Sequence, residues 1–320
     1  MVAMYLLRRI LHMDNYKSRQ GADTECSKLT LRFGKKGRGR NCFNMPCGIA
    51  VTKSGDIVVA DSENHRVQIF TSEGILKVKF GSKGIRPDQI NYPMCLAMTN
   101  EENIAVTDSV NACIKIFTQE GNLVQVCGSS KFFEFPYGLA ISPDGDFVVT
   151  DICKHCVTVM TKNGEFSHSF GSYGDSPRDF DHPYFVTVNK QKQILVSDSG
   201  NSCIKLFRFD GHLLRSFTLQ DFHLSVECYA NLQGMCSDAD GNTLVICNST
   251  IYILAKNGRL WEVITPKDGL TTPKCVSYCN NGFLAVTQSG YNEIHEVCLF
   301  DYNKDDYKSL NTLLYYAIDI

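Results

Sequence analysis

The strongest constraint on this chain is an internal repeat. The segment Phe43 to Gly81 reads FNMPCGIAVTKSGDIVVADSENHRVQIFTSEGILKVKFG, and its parts return at Asn103–Gly128, Phe135–Gly171 and His182–Phe217. The prolines Pro46, Pro93, Pro136 and Pro183 are spaced 47, 43 and 47 residues apart. Two degenerate copies, Gly234–Ile264 and Pro273–Phe300, bring the count to six. Each unit holds four short β-rich runs. In the first they are GIAV, DIVVAD, RVQIF and ILKVKF, broken by Lys53-Ser54-Gly55, Glu63-Asn64 and Ser72-Glu73-Gly74. One four-stranded unit cannot bury both faces, whereas a ring of units buries each against its neighbours. The expected fold is all-β, a six-bladed β-propeller.

Closure of the ring is legible too. The sixth unit supplies three strands, and an orphan strand-like run, SKLTLRFG at Ser27–Gly34, stands before the first unit. It matches the last strand of the other units and is expected to complete the sixth blade, leaving no open sheet edge. The propeller is therefore expected over 27–302, with 1–26 as a lead-in segment or the stump of a longer protein and 303–320 as a tail. Met1 to Met13 is apolar, but Arg8 and Arg9 interrupt it. It is too short for a span, which needs about 20 apolar residues, and it lacks the order of a secretory signal.

Composition removes other classes. With 43% hydrophobic and 21% charged residues the chain is not disordered. Its 32 basic residues against 34 acidic ones give a net charge of −2, which excludes a polyanion binder that relies on bulk charge but not one with a local basic patch. The 15 cysteines are odd in number and scattered, in a chain long enough to build a core without disulfides. They are expected to be reduced and buried, which favours a cytoplasmic protein with no membrane association.

The residues Asn64-His65 followed by RVQIF, inside the frame P-x-G-I-A-V…G-x-I-V-V-A-D, resemble the NHL repeat. The resemblance covers roughly 27–300 and is weakest in the last two units. With reduced thiols it looks most like the C-terminal propeller of tripartite-motif NHL proteins. It implies a protein-recognition domain of the kind serving a RING-type ubiquitin ligase, or a module that binds single-stranded RNA for repression. No RING, B-box or coiled coil is found in these 320 residues, so ubiquitin transfer would need a partner or a further region. A third reading, a metal-dependent propeller lyase or hydrolase, is disfavoured because the innermost strands carry no inward histidine.

The aspartates Asp61, Asp108, Asp151 and Asp198 close the second strand of the first four units and are read as structural turn caps. Asn248 and Gln288 take their place in the last two units, which catalysis would not tolerate. Cys153 and Cys156 form a C-x-x-C with no second pair, and His65, His155 and His182 share a loop face without ligand spacing; neither set is expected to hold a metal. No catalytic residue and no cofactor is expected. In a four-stranded meander, the loop before the first strand and the loop between the second and third share one face. On it fall Lys35, Lys36, Arg38, Arg40, His65, Arg86, Tyr92, Tyr137 and Tyr184, the candidate binding residues, with Lys83, Lys131 and Arg178 beside them. A protein client, with ubiquitination in view, is the first expected partner. Single-stranded RNA is the alternative, because aromatics beside cations stack bases at about 1–3 kcal/mol each; no DNA partner is expected.

Overall fold

The computed structural model describes residues 28–218, 231–254, 260–290 and 293–302. The proposed lead-in 1–26 and tail 303–320 lie outside them. The chain forms six antiparallel four-stranded sheets arranged in a ring. Blade 1 is β2 (Pro46–Val51), β3 (Ile57–Asp61), β4 (Arg66–Phe70) and β5 (Leu76–Phe80). Blade 2 is β6 (Pro93–Met98) to β9 (Leu123–Cys127), and blade 3 is β10 (Pro136–Ile141) to β13 (Phe166–Phe170). Blade 4 is β14 (Pro183–Val188) to β17 (Leu213–Phe217), and blade 5 is β18 (Leu232–Ser237) to β21 (Leu260–Ile264). Blade 6 contributes β22 (Pro273–Cys279), β23 (Phe283–Ser289) and β24 (His295–Asp301). Its fourth strand is β1 (Leu29–Phe33), antiparallel to β24 with Phe33 opposite Val297. The six-bladed fold and the closure by the N-terminal strand are both as the repeat predicts.

The sequence pattern follows from depth in the ring. The second and third strands of blades 1 to 3 are buried at every position, because each face meets a neighbouring blade; they are rich in Val and Ile, interrupted in the third strands of blades 1 and 2 by Arg66, Gln68 and Lys115. The outer strands β5 and β9 alternate between half-buried and exposed residues, as the edge of a sandwich should. Phenylalanines from an outer strand, a loop and a third strand fill the seams: Phe33, Phe43 and Phe70 pack with centroids 4.9 to 6.5 Å apart between blades 6 and 1. Phe170, Phe180 and Phe207 repeat that triple between blades 3 and 4 at 5.0 to 6.3 Å.

Toward the channel, the innermost strands alternate small and large residues around the ring. Gly48, Gly138 and Gly234 occupy the third position in blades 1, 3 and 5, and Cys95, Phe185 and Cys275 occupy it in blades 2, 4 and 6. A Cβ on Gly138 would lie 2.5 Å from the Tyr184 carbonyl oxygen, and one on Gly234 would lie 2.5 Å from the Cys275 Cα. The glycine of the repeat is therefore demanded by the neighbour's backbone. Hydroxyls staple every seam. Ser62 donates to the Pro93 carbonyl, Thr107 to Tyr137, Thr150 to Tyr184, Ser199 to Leu232, Ser249 to Thr271 and Thr287 to Cys47.

Candidate functional site

The loops before the first strands and between the second and third strands do share a face, and the repeat aspartates tie them together. The Asp61 carboxylate accepts the Asn44 amide at 2.6 Å, and it also accepts from Asn64, Arg66 and Gln68. Asp108 accepts the Asn91 amide at 2.8 Å and pairs with buried Lys115 at 2.8 Å; Asp198 does the same with the Asp181 amide and Lys205. Asp151 has no ion-pair partner among the described residues; its carboxylate accepts the amides of Glu134, Phe135, Cys153 and Lys154 instead. Asn248 and Gln288 accept the corresponding amides in blades 5 and 6. These residues thus cap more than the following turn: each joins two loops of its blade. Burial pushes Asp61 and Asp198 above the usual carboxylate range, against the pull of their donors.

On this frame the cations are presented from fixed backbone. The Arg66 guanidinium donates to the carbonyls of Arg38, Gly39 and Cys42, and Asn64 donates to that of Gly37. Lys115 donates to the carbonyls of Arg86 and Gln89. Lys35, Arg38, Arg40 and Lys83 are exposed and form no ion pair among the described residues. Lys36 pairs with Glu293 at 2.9 Å, and Arg86 lies 3.5 Å from Asp88. Between Lys83 and Arg86 stands Ile85, 86% exposed. Burial lowers the His65 imidazole to about 4, and the charges of Lys83 and Arg38, from the loops of neighbouring blades, add to that lowering.

Two of the expected aromatics are not on this face. Tyr137 and Tyr184 are only 2% and 4% exposed. Their rings pack 5.0 Å apart inside the ring, and the Tyr137 hydroxyl reaches from blade 3 to within 3.6 Å of Cys47 Sγ in blade 1. The residue after the repeat proline points inward because the first strand lines the channel, so neither tyrosine can stack on a ligand at the surface. Tyr92 stays half-buried, edge-on to His65 with centroids 4.7 Å apart. Beyond these tyrosines the channel opens into a cavity of about 240 Å³ lined by Ile49, Leu96, Leu139, Val186, Met235 and Val276, with no histidine in its wall.

The cysteines divide from the histidines. All thirteen described cysteines are free thiols. Burial pushes the Cys153 thiol up to about 12 and that of Cys156 up to about 11, with the Asp151 charge adding to both. His65 does not meet His155 and His182. Those two do meet, with ring centroids 4.9 Å apart, and they meet over the carboxylate of Asp181. Asp181 is not among the residues singled out from the sequence; its place directly before His182 and Pro183 is the available signal.

Comparison with known proteins agrees with the repeat. The NHL repeat family model matches residues 43–70 and 133–160. The B-box type zinc finger protein ncl-1 of Caenorhabditis elegans is 50% identical over 46 residues, 14% of this chain and 5% of that protein. The E3 ubiquitin-protein ligase TRIM32 of Homo sapiens is 44% identical over 46 residues, 14% of this chain and 7% of that protein. Protein brain tumor of Drosophila melanogaster is 48% identical over 46 residues, 14% and 4% of the two. The match thus spans only a small part of these relatives. A streptogramin B lyase structure superposes with a TM-score of 0.65 at 13% identity, covering 87% of this chain and all of the other. The WD40 propeller domain of Doa1 gives 0.58 at 13% identity over 87% and 98%. At that identity they share the fold alone.

Proposed function

We propose, from the premise that this chain is an NHL-repeat propeller, that it works as a non-catalytic interaction module whose loop face captures an acidic segment of a protein client. The observation that carries this reading is the group of exposed cations Lys35, Arg38, Arg40 and Lys83, without ion pairs among the described residues, on the hydrogen-bonded loops before blades 1 and 2, the second of which also carries exposed Ile85. Separate loops of blades 1 and 2 supply them, so a chain crossing that seam meets positive charge on both sides and one apolar anchor point. Single-stranded RNA is the weaker match, because two of the three aromatics expected to stack bases, Tyr137 and Tyr184, lie inside the ring. In a pathway like that named for the human ligase relative, the client would be a ubiquitination substrate, with transfer carried out by other domains. Free thiols at the thirteen described cysteines suit a reducing compartment such as the cytoplasm.

Selection of random peptides on the immobilised propeller tests this directly. Enrichment of acidic peptides with one bulky apolar residue, lost with Arg38→Glu plus Lys83→Glu, is the expected result. Failure to enrich any acidic sequence overturns it. Binding of short RNA oligomers, steeply weakened by salt and lost in the same variant, would replace it with the RNA reading.

A further inference from the structure

We propose that His155, Asp181 and His182 form a site for one divalent transition-metal ion of the zinc type, on the loop face at the seam between blades 3 and 4. One ligand atom from each of the three lies within 4.8 Å of the others, the only such group of metal-ligating side chains among the described residues. Asp181 Oδ1 is 2.5 Å from His182 Nδ1 and 3.9 Å from His155 Nδ1. Ligands on a tetrahedral zinc at about 2.0–2.1 Å stand roughly 3.3 Å apart, so side-chain movements of about an ångström bring the set onto one ion. All three side chains are half-buried rather than sealed, which leaves a coordination position for water and a way in.

Comparison with the other seams separates this arrangement from ordinary packing. His65 Nδ1 accepts the Tyr92 amide at 3.2 Å, and His295 Nδ1 accepts the Met45 amide at 2.8 Å. His155 Nδ1 accepts the His182 amide at 3.1 Å in the same way. That contact belongs to the repeat, and by itself it needs no metal. The two residues before the proline are Asn44-Met45 in blade 1, Asn91-Tyr92 in blade 2 and Asp181-His182 in blade 4. Only at the third of these seams does the histidine face a carboxylate and a second imidazole.

The fourth blade also makes room for that carboxylate. The position two after the repeat aspartate is Glu63, Val110 and Cys153 in blades 1 to 3 but Gly200 in blade 4. A Cβ on Gly200 would lie 2.4 Å from Asp181 Cγ and 2.5 Å from its Oδ2. The Gly200 amide also donates to the Asp181 carbonyl at 2.7 Å, so the backbone of Asp181 is fixed while its carboxylate fills the space that glycine leaves. Two imidazoles and one carboxylate are a nitrogen and oxygen set that suits zinc and its neighbours in the first transition row. On binding, the ion takes the His155 Nδ1 lone pair now used by the His182 amide, and His182 offers Nδ1 with its ring proton on Nε2, so a neutral imidazole changes tautomer and releases no net proton.

Cobalt(II) titration of the intact chain, followed by absorption, reads both stoichiometry and ligand type. One equivalent is expected to bind with weak visible bands and without the intense near-ultraviolet bands of thiolate ligation; competing zinc should erase them. The double variant Asp181→Asn with His182→Tyr rebuilds the pair that blade 2 carries at the same place, so the fold has a precedent for it. It should lose at least 30-fold in affinity. Gly200→Ala, which keeps all three ligands but crowds the carboxylate, should lose about 10-fold. His65→Gln should bind as the parent does. No binding at 100 µM cobalt, thiolate bands, or equal affinity in the double variant each overturns the proposal.

Discussion

Replacing Asp108 by asparagine should cost far more than the size of the change implies. The Asp108 carboxylate is fully buried and pairs at 2.8 Å with Lys115, itself 3% exposed, whose ammonium otherwise meets only the carbonyls of Arg86 and Gln89. Neutralising one partner leaves a buried cation without its counter-ion, a loss of about 3–5 kcal/mol in comparable pairs. That is a large share of the roughly 5–15 kcal/mol by which domains are stable. Adding Lys115→Met removes the stranded charge and puts an apolar side chain of similar length in its place. The double variant should recover to within about 1–2 kcal/mol of the parent, regaining about 2–3 kcal/mol over the single variant. Blade 3 supplies the control. Asp151 is buried with backbone amides and no cation, so Asp151→Asn should cost only about 1–3 kcal/mol. Urea unfolding followed through the lone tryptophan, Trp261, measures all four proteins. An Asp108→Asn variant within 1 kcal/mol of the parent, or a double variant no more stable than that single one, would refute the ion-pair reasoning. Lys115 also holds the loop that carries Lys83 and Ile85, so the single variant should weaken acidic-peptide binding as well.

Gly138→Ala should lower stability by about 1–3 kcal/mol, because its Cβ meets the Tyr184 carbonyl at 2.5 Å and that backbone cannot retreat; an unchanged urea midpoint would mean that the blades yield. His65 should titrate near 4 rather than 6.5 by NMR. A folded value below the unfolded one means that stability is intact above pH 6.5 and falls as the pH drops from there toward 4. Lys83→Gln should bring the titration partly back upward, and a His65 value above 6 in the parent would contradict its burial beside Lys83 and Arg38. Removing residues 1–34 takes away β1 and with it Phe33, whose ring packs 4.9 Å from Phe70. The truncated chain should lose cooperative unfolding and self-associate through the bared edge of β24, as light scattering would show; a monomer with the parent's melting curve would rule out closure by that strand.

The ring was legible because its causes are local and repeated. Val/Ile runs between glycine turns specify strands, and six copies specify six blades. The need to cover the edge of β24 identified SKLTLRFG as a strand of the last blade, although it stands about 260 residues away in sequence. The aspartates, read from the sequence as turn caps, reach further than the following turn. Asp61 satisfies an amide seventeen residues earlier, and no pattern along the chain shows that contact until the strands are paired. Tyr137 and Tyr184 were misplaced for a related reason. The residue after the repeat proline alternates in or out with the pleat, and the register that sends it inward is set by the pairing of Pro136 with Asp151.

Function is written where the repeats differ. Every unit spends its regular positions on strands, turns and seams, so a residue that obeys the repeat already has a structural role. Arg38, Lys83 and Ile85 lie in the loops whose sequence changes most from blade to blade, and they carry the proposed client face. Asp181, His182 and Gly200 depart from the repeat at three positions that meet in space, around a histidine that keeps its repeat contact to the next blade. One such departure is ordinary drift. Three that fit one another, with a glycine vacating the volume that a carboxylate fills, have a common cause in the chemistry of the seam, and metal binding is the chemistry those side chains offer.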